Sequence, residues 1–451
     1  MNVNWKTIAL FGVVVVMFLV TGQMQSWNIA LGIFNMGLIS AIMALGVNMQ
    51  WGYAGLFSTG VMGFTALGGL SAVIFAMPPV RDTWAAGGPA MMLALLVGLA
   101  SIAGAAVIFR LMPAGRLRGG AMIAWLVGGF FLYRWFFDPA ALAIEAITPA
   151  STGYLGGLGI PYAFGTPAPG QLFGWYQLGV VLTWPLGGVL AAAVAWVIGK
   201  TALGLRSDYL AIATLGIAEI ITAVMKNEDW LARGPKNVTG ILRPVPYEVD
   251  LQANAGFIDW AAAWGFDPAS ASSIIVKLCY AGIFMIVLLA LIWLSEKAWH
   301  SPWGRMMRAI RDNEVSAAAM GKNVTRRHLH VFIIGSAVIG LAGAMMTTLD
   351  GQLTPGTYSP LRYTFLIWVM VIVGGSGNNW GSVLGAFLIW FLWVQVEPVG
   401  VWAMGLVTDG MADGALKSRL VESTAHMRLL TMGVVLLMVL RFSPRGLIPE
   451  K

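Results

Sequence analysis

Residues 28–49 read NIALGIFNMGLISAIMALGVNM, a run without a single charged side chain. A stretch of ~17–25 mostly apolar residues matches the thickness of a bilayer's hydrocarbon core. There, each backbone N–H and C=O must be satisfied internally, so the run reads as a membrane-spanning helix. Comparable runs lie near 7–22, 58–77, 89–110, 119–136, 177–199, 208–226, 273–295, 329–349, 363–376, 380–403 and 427–440. Composition agrees: 58% of the 451 residues are hydrophobic and 10% are charged, whereas a soluble domain carries about a quarter charged residues. The expected fold is all-α, a polytopic helical bundle forming one transmembrane domain over residues 1–451, with about 10–12 spanning helices. The run 7–22 follows Lys6 as a signal sequence would, but Gln23-Met24-Gln25-Ser26 offers no small-x-small cleavage site, so it is read as a retained first helix. Cys279 is the only cysteine, which excludes a disulfide framework and a Cys-based metal site.

Charge sets the expected topology. With the N-terminus inside, the cytoplasmic side holds Lys6, Arg110, Arg116, Arg118, Lys200, Arg206, Lys297, Arg305, Arg308, Arg311, Lys322, Arg326, Arg327, Arg441, Arg445 and Lys451. These are sixteen of the 27 Lys and Arg, against five acids on that side, and the other eleven share the remaining surface with fifteen acids. The positive-inside rule therefore favours N-in and C-in. It also explains the formal net charge of +7 without nucleic-acid binding. Residues 137–176 and 227–272 become external segments, and 259–266, with Trp260 and Trp264 at i, i+4, suits an amphipathic helix at the interface. Residues 297–328 form the largest cytoplasmic loop.

Within that loop, Ser301 and Pro302 suit the start of a helix and Gly321 its end. Trp303, Met306, Met307, Ile310, Ala317 and Met320 recur at helical spacing, and Arg308 with Asp312 and Arg311 with Glu314 are spaced to pair along a charged face. The alternative for these residues is a basic amphipathic helix resting on anionic lipid. The order of residues from Ala309 to Gly321 resembles the cytoplasmic coupling loop of ABC-importer permeases, and most closely that of the high-affinity branched-chain amino acid importers, as the M-type partner of the permease pair. Ser316 stands where an Ala is expected. Four further stretches resemble the same family in the same order: Ala44 to Gly55, Asp208 to Gly216 with Glu219-Ile220, Gly374 to Gly377 with Trp380-Gly381 and Leu384 to Ala386, and Arg441 to Leu447. Residues 112–176 and 398–426 are longer than the family's usual pattern.

The resemblance implies a bacterial inner-membrane subunit that forms a translocation path with a second, homologous permease. It further implies two cytoplasmic ATPases, which bind ATP and Mg, and a periplasmic substrate-binding protein; no cofactor is expected in this chain. Gly304, Arg308, Arg311, Glu314, Ala317 and Gly321 are then the coupling-loop residues, with Ala317 on the docking face. Permeases for urea, short amides or small carboxylates share these motifs, so the solute stays open. A secondary transporter or channel is the rival of another class; it should carry carboxylates in several spanning helices, whereas Glu219 is nearly alone in the apolar runs.

An ionisable group in mid-membrane costs ~2.5–3.5 kcal/mol on insertion scales, which makes Glu219 a candidate for the path or its gate; the alternatives are a buried Glu hydrogen-bonded between helices and one close enough to an interface to reach water. Asn48 and Gln50, at the end of an apolar run, either face a pathway or cap a helix end, and Tyr209 is a further pathway candidate. Gly340, which falls between Ser336 and Ala344, and the pair Gly381 and Gly385 have small-xxx-small spacing, which favours close helix packing. Gly199-Lys200-Thr201 is not a P-loop, because the glycine required five residues upstream is Val194. The run Gly374 to Asn379 lacks the Lys-Ser/Thr of a phosphate site. His300, His328, His330 and His426 have no ligand-spaced neighbours, so no metal site and no hydrolase constellation is expected.

Overall fold

The computed structural model describes residues 5–148, 152–168, 170–205, 207–409 and 415–450. Arg206 and Lys451, both counted on the cytoplasmic side above, lie outside the described residues, as do 410–414 within the long 398–426 region.

Every one of the twelve apolar runs contains a helix. They are α1 (Trp5–Met24), α2 (Trp27–Asn48), α3 (Val61–Ala76), α4 (Arg81–Leu111), α5 (Arg116–Glu145), α6 (Trp175–Ala202) and α7 (Ser207–Asn227). There follow α8 (Pro268–His300), then the short α9 (Pro302–Asp312) and α10 (Glu314–Ala319), and finally α11 (Val324–Asp350), α12 (Leu366–Gly374), α13 (Asn379–Thr408) and α14 (Met427–Phe442). Among the described residues nine helices are long and apolar enough to cross a membrane, and Val61–Ala76 and Leu361–Gly374 are shorter apolar helices. Two are extended by a π-helical turn, α2 by Met49–Tyr53 and α12 by Leu361–Phe365.

Burial separates inner from outer helices. In their most apolar windows α2, α11 and α13 are 72%, 67% and 56% buried, against 17% for α1, 11% for α4 and 6% for α5. The inner helices meet through small residues. In lipid, apolar helices gain nothing from leaving water, so association rests on close van der Waals contact. A Cβ on Gly340 (α11) would run into the Ala191 side chain and the Gly187 carbonyl of α6, and one on Gly68 (α3) into the Gly340 carbonyl. Gly381 and Gly385 do the same for α13, whose backbone lies against Gly374 and Met370 of α12.

The α4–α5 hairpin extends nine residues into the segment read as an external loop from 137 onward. It has its own small apolar cluster, in which Met91, Phe137 and Ile144 pack with Leu155 and Trp230. Leu155 N–H donates to the Trp230 carbonyl at 3.0 Å, and Val238–Thr239 pairs antiparallel with Gln352–Leu353, so the segments 152–165, 228–245 and 351–358 are knitted together at one end of the bundle. Near 259–266 the helix runs Ala255–Ala263, with Trp260 and Trp264 exposed. At 33 residues, α8 is about 50 Å long, and it carries this knitted end at its start and α9 at its finish.

Candidate functional site

The α9–α10 element is built as two short helices with a cap at every boundary. The Ser301 hydroxyl accepts from Gly304 N–H at 3.3 Å, the Asn313 side chain from Ser316 N–H at 2.9 Å, and the Asn323 side chain from Arg326 N–H at 3.0 Å. Gly304, Met307 and Ile310 form the buried face of α9. Gly304 is where α9 turns back on α8, since a Cβ there would strike the carbonyls of Ala298 and Trp299. Gly321 has φ +77°, Gly321 N–H donates to the Ala318 carbonyl at 2.9 Å and Lys322 N–H to the Ala317 carbonyl at 3.2 Å. This left-handed turn satisfies carbonyls that a helix end leaves free.

The two ion pairs expected along this loop are replaced. Asn313, at φ −155°, breaks the helix after Asp312, so Arg311 and Glu314 do not share a face. The Arg308 guanidinium instead lies over the Trp299 ring, 4.4 Å from its centre. Arg311 donates to Glu450 through two bonds of 2.9 and 3.1 Å, to Asp312 at 3.2 Å, and to the Gly52 carbonyl. Burial opposes its charge, but the carboxylates outweigh it and raise the guanidinium pKa. Ala317 is also corrected. It is buried, 8% exposed, and the outer surface is formed by Glu314, Val315, Ser316, Ala318, Ala319 and Met320, with Val315 and Met320 80% and 81% exposed. Two apolar side chains thus stand in the open at the tip of an internally anchored element.

Beneath α9 lies a buried polar junction. Asn379 Oδ1 accepts from the Tyr53 hydroxyl at 2.7 Å and from Asn48 Nδ2 at 3.1 Å, while Asn379 Nδ2 donates to Glu296 at 3.0 Å. The Asn48 Oδ1 accepts from Gly377 N–H at 2.8 Å. Gln50 Nε2 donates to the Ser336 hydroxyl at 3.0 Å and the Phe332 carbonyl at 3.2 Å. Asn48 and Gln50 are thus interior cross-links between helices in this conformation, where the sequence suggested pathway groups. The Gly374–Asn379 run, which lacks the Lys-Ser/Thr of a phosphate site, is filled by protein: Gly375 lies against Ile448 and Gly377 against Glu450. Tyr53, Trp299, Asn313, Asn379 and Glu450 were not singled out from sequence. The available signal was a cluster of amide side chains, Asn48, Gln50, Asn378 and Asn379, at the margins of apolar runs.

Tyr209 and Glu219 lie elsewhere, on α7. Its inner face, including Ala211, Thr214 and Ala218, packs on α3, with the Thr59 hydroxyl donating to the Ala211 carbonyl at 2.5 Å. Its outer face presents Tyr209, Ile212, Gly216, Glu219 and Ala223 in one exposed stripe at alternating three- and four-residue spacing. The Glu219 carboxylate is exposed and has no hydrogen-bond or ion-pair partner among the described residues, so the alternative of a buried, bonded Glu does not describe it, while the pathway and water-reaching readings both stand.

The family model described as "Branched-chain amino acid transport system / permease component" matches residues 151–440, from just after α5 into α14. The chain belongs to this family. Among curated proteins, the permease is 29% identical over 238 residues to the high-affinity branched-chain amino acid transport system permease protein LivM of Escherichia coli, covering 52% of this chain and 55% of that one. It is 23% identical over 270 residues to the probable branched-chain amino acid transport permease protein LivM of Methanocaldococcus jannaschii, covering 58% and 67%. A shorter match, 25% over 131 residues, joins it to the fructose import permease protein FrcC of Rhizobium meliloti, covering 28% and 33%. The chain spans about half the length of the Escherichia coli relative. No solved structure matches it.

Proposed function

We propose that this multi-pass permease imports branched-chain or other hydrophobic amino acids as the membrane subunit of an ATP-driven assembly, with a second permease, two cytoplasmic ATPases and a periplasmic binding protein. The observation that carries the reading is the α9–α10 element. Arg308 and Arg311, which would have to face lipid in a surface-resting helix, are instead engaged with Trp299, Glu450 and Gly52, while the exposed tip offers small residues between Val315 and Met320. A rigid, protruding, partly apolar tip suits insertion into a protein cleft; a loose basic surface suits lipid.

The N-in, C-in topology is tested by reporter fusions. Fusions after residues 116, 320 and 446 should report the cytoplasm, and those within 152–165 and 235–265 the exterior, since α8 has the helices of 248–263 at its start and the α9–α10 element at its finish. A cytoplasmic signal from 235–265 would overturn the topology.

The outer stripe of α7 is the surface proposed to face the second permease and the path. In vesicles holding the whole assembly, Glu219→Ala is expected to lower ATP-driven leucine uptake about tenfold or more, with membrane content unchanged. Unimpaired uptake would remove Glu219 from the path. Uptake by this chain without any ATPase would replace the whole reading with that of a secondary transporter.

A further inference from the structure

The segment after α14 does more than leave the membrane. Gly446, at φ +78°, turns the chain so that Leu447 and Ile448 N–H donate to the Val373 and Gly374 carbonyls at 2.9 Å each, filling acceptors that the end of α12 would otherwise leave open. The Ser443 hydroxyl donates to the Gly446 carbonyl at 2.7 Å and fixes that turn, and Asn378 Nδ2 donates to the Pro449 carbonyl at 3.2 Å. Ile448 is buried, the Gly375 backbone comes so close to its carbonyl that a side chain there would collide with it, and a Cβ on Gly381 would press tightly against the same oxygen. The segment is therefore docked along its length before it reaches Glu450, whose carboxylate grips Arg311 through both oxygens. Arg311 at the same time holds the carbonyl of Gly52 in the π-helical turn that ends α2.

We propose that Ser443–Glu450 is a positioning strap for the α9–α10 element, and that Arg311 is the positioning residue through which it acts. The inference deepens the proposed function and rests on α9–α10 being the coupling element. α9 is a short helix flanked by turns, held to the bundle along one face by Gly304, Met307 and Ile310. The strap adds a second hold, at the Arg311 edge. It ties α9 to the α12–α13 loop on one side and to α2 on the other, so a push on the α10 tip moves the helix ends that meet at Asn379 rather than being absorbed in the loop. A two-toothed guanidinium–carboxylate pair suits this role because it fixes angle as well as distance. Each side chain is about a quarter exposed, 23% for Arg311 and 28% for Glu450, so the grip can be weakened without opening a cavity.

The test is the number of ATP molecules hydrolysed per solute imported by the reconstituted assembly, a ratio that loss of assembled complex leaves unchanged. Glu450→Gln keeps the shape and removes the charge; it is expected to raise the ratio by about threefold or more, with Glu450→Asp close to the unsubstituted protein. Gly321→Val is measured in parallel. If it raises the ratio and Glu450→Gln does not, the strap is overturned and the coupling element stands. If neither raises it, the coupling reading fails and the strap with it. Loss of assembled complex in Glu450→Gln at an unchanged ratio would give the segment a purely structural role and also overturn the proposal.

Discussion

Gly321→Val is expected to uncouple ATP hydrolysis from import or abolish co-purification of the ATPases, at unchanged level in the membrane. Gly321 sits at φ +77° with nothing within 4 Å of where a Cβ would be, so the substitution is opposed by the backbone alone. A β-branched residue held in the left-handed region costs about 1–3 kcal/mol, enough to abandon the turn and misplace the α10 tip. Gly321→Asn provides the control, because Asn tolerates the left-handed region and has the same open space. It should retain most transport. Arg305→Gln should be near neutral as well: Arg305 is exposed, its side chain donates, among the described residues, only to the His300 carbonyl at 3.2 Å, and losing one charge near anionic lipid weakens attraction by ~1 kcal/mol. If the order is reversed, with Arg305→Gln damaging and Gly321→Val silent, the element is a lipid-resting helix.

Asn379→Leu is expected to cost the most in stability. Asn379 is 3% exposed and serves three partners at once, so its replacement leaves Asn48 Nδ2 without an acceptor and takes one bond each from the Tyr53 hydroxyl, which keeps the Ser295 carbonyl at 3.3 Å, and from the part-exposed Glu296. Leaving a buried polar group unpaired costs about 1–3 kcal/mol, so with one group stranded and two further bonds lost the cost is about 2–4 kcal/mol. Tyr53→Phe removes one donor and should cost about 1 kcal/mol. Thermal unfolding of the purified protein followed by size-exclusion chromatography should rank Asn379→Leu well below Tyr53→Phe. Equal melting of the two would mean that the junction does not hold α2, α8 and α13 together.

Much of this architecture is readable in the sequence because a bilayer imposes a strong, local rule. A run such as 28–49 has few structures open to it in hydrocarbon, and all twelve runs contain a helix in the structure. Caps are local too, which is why Ser301, Pro302 and Gly321 mark the ends of the α9–α10 element. What sequence did not give is partner choice. Arg311 and Glu314 have the spacing of a helical pair, but an Asn cap between them breaks the helix, and the true partner of Arg311 is 139 positions away. Ala317 shows the same limit, for helical spacing gives a face without saying which face meets the protein and which the solvent. The amide cluster of Asn48 and Asn379 likewise spans 331 positions, a separation at which sequence pattern carries no geometry.

The central claim, that the α10 tip enters a partner ATPase, is tested most directly by site-specific crosslinking from Met320, which is 81% exposed at the tip. Cys279 is the only native cysteine and half-buried on α8, so a Cys279→Ser background leaves Met320→Cys as the single thiol. A short thiol-to-amine crosslinker on the complete assembly in membranes should join this chain to the ATPase subunit, with a yield that changes when ATP is added. A residue-320 thiol that stays freely reactive and yields no ATPase adduct, with or without nucleotide, would contradict the account.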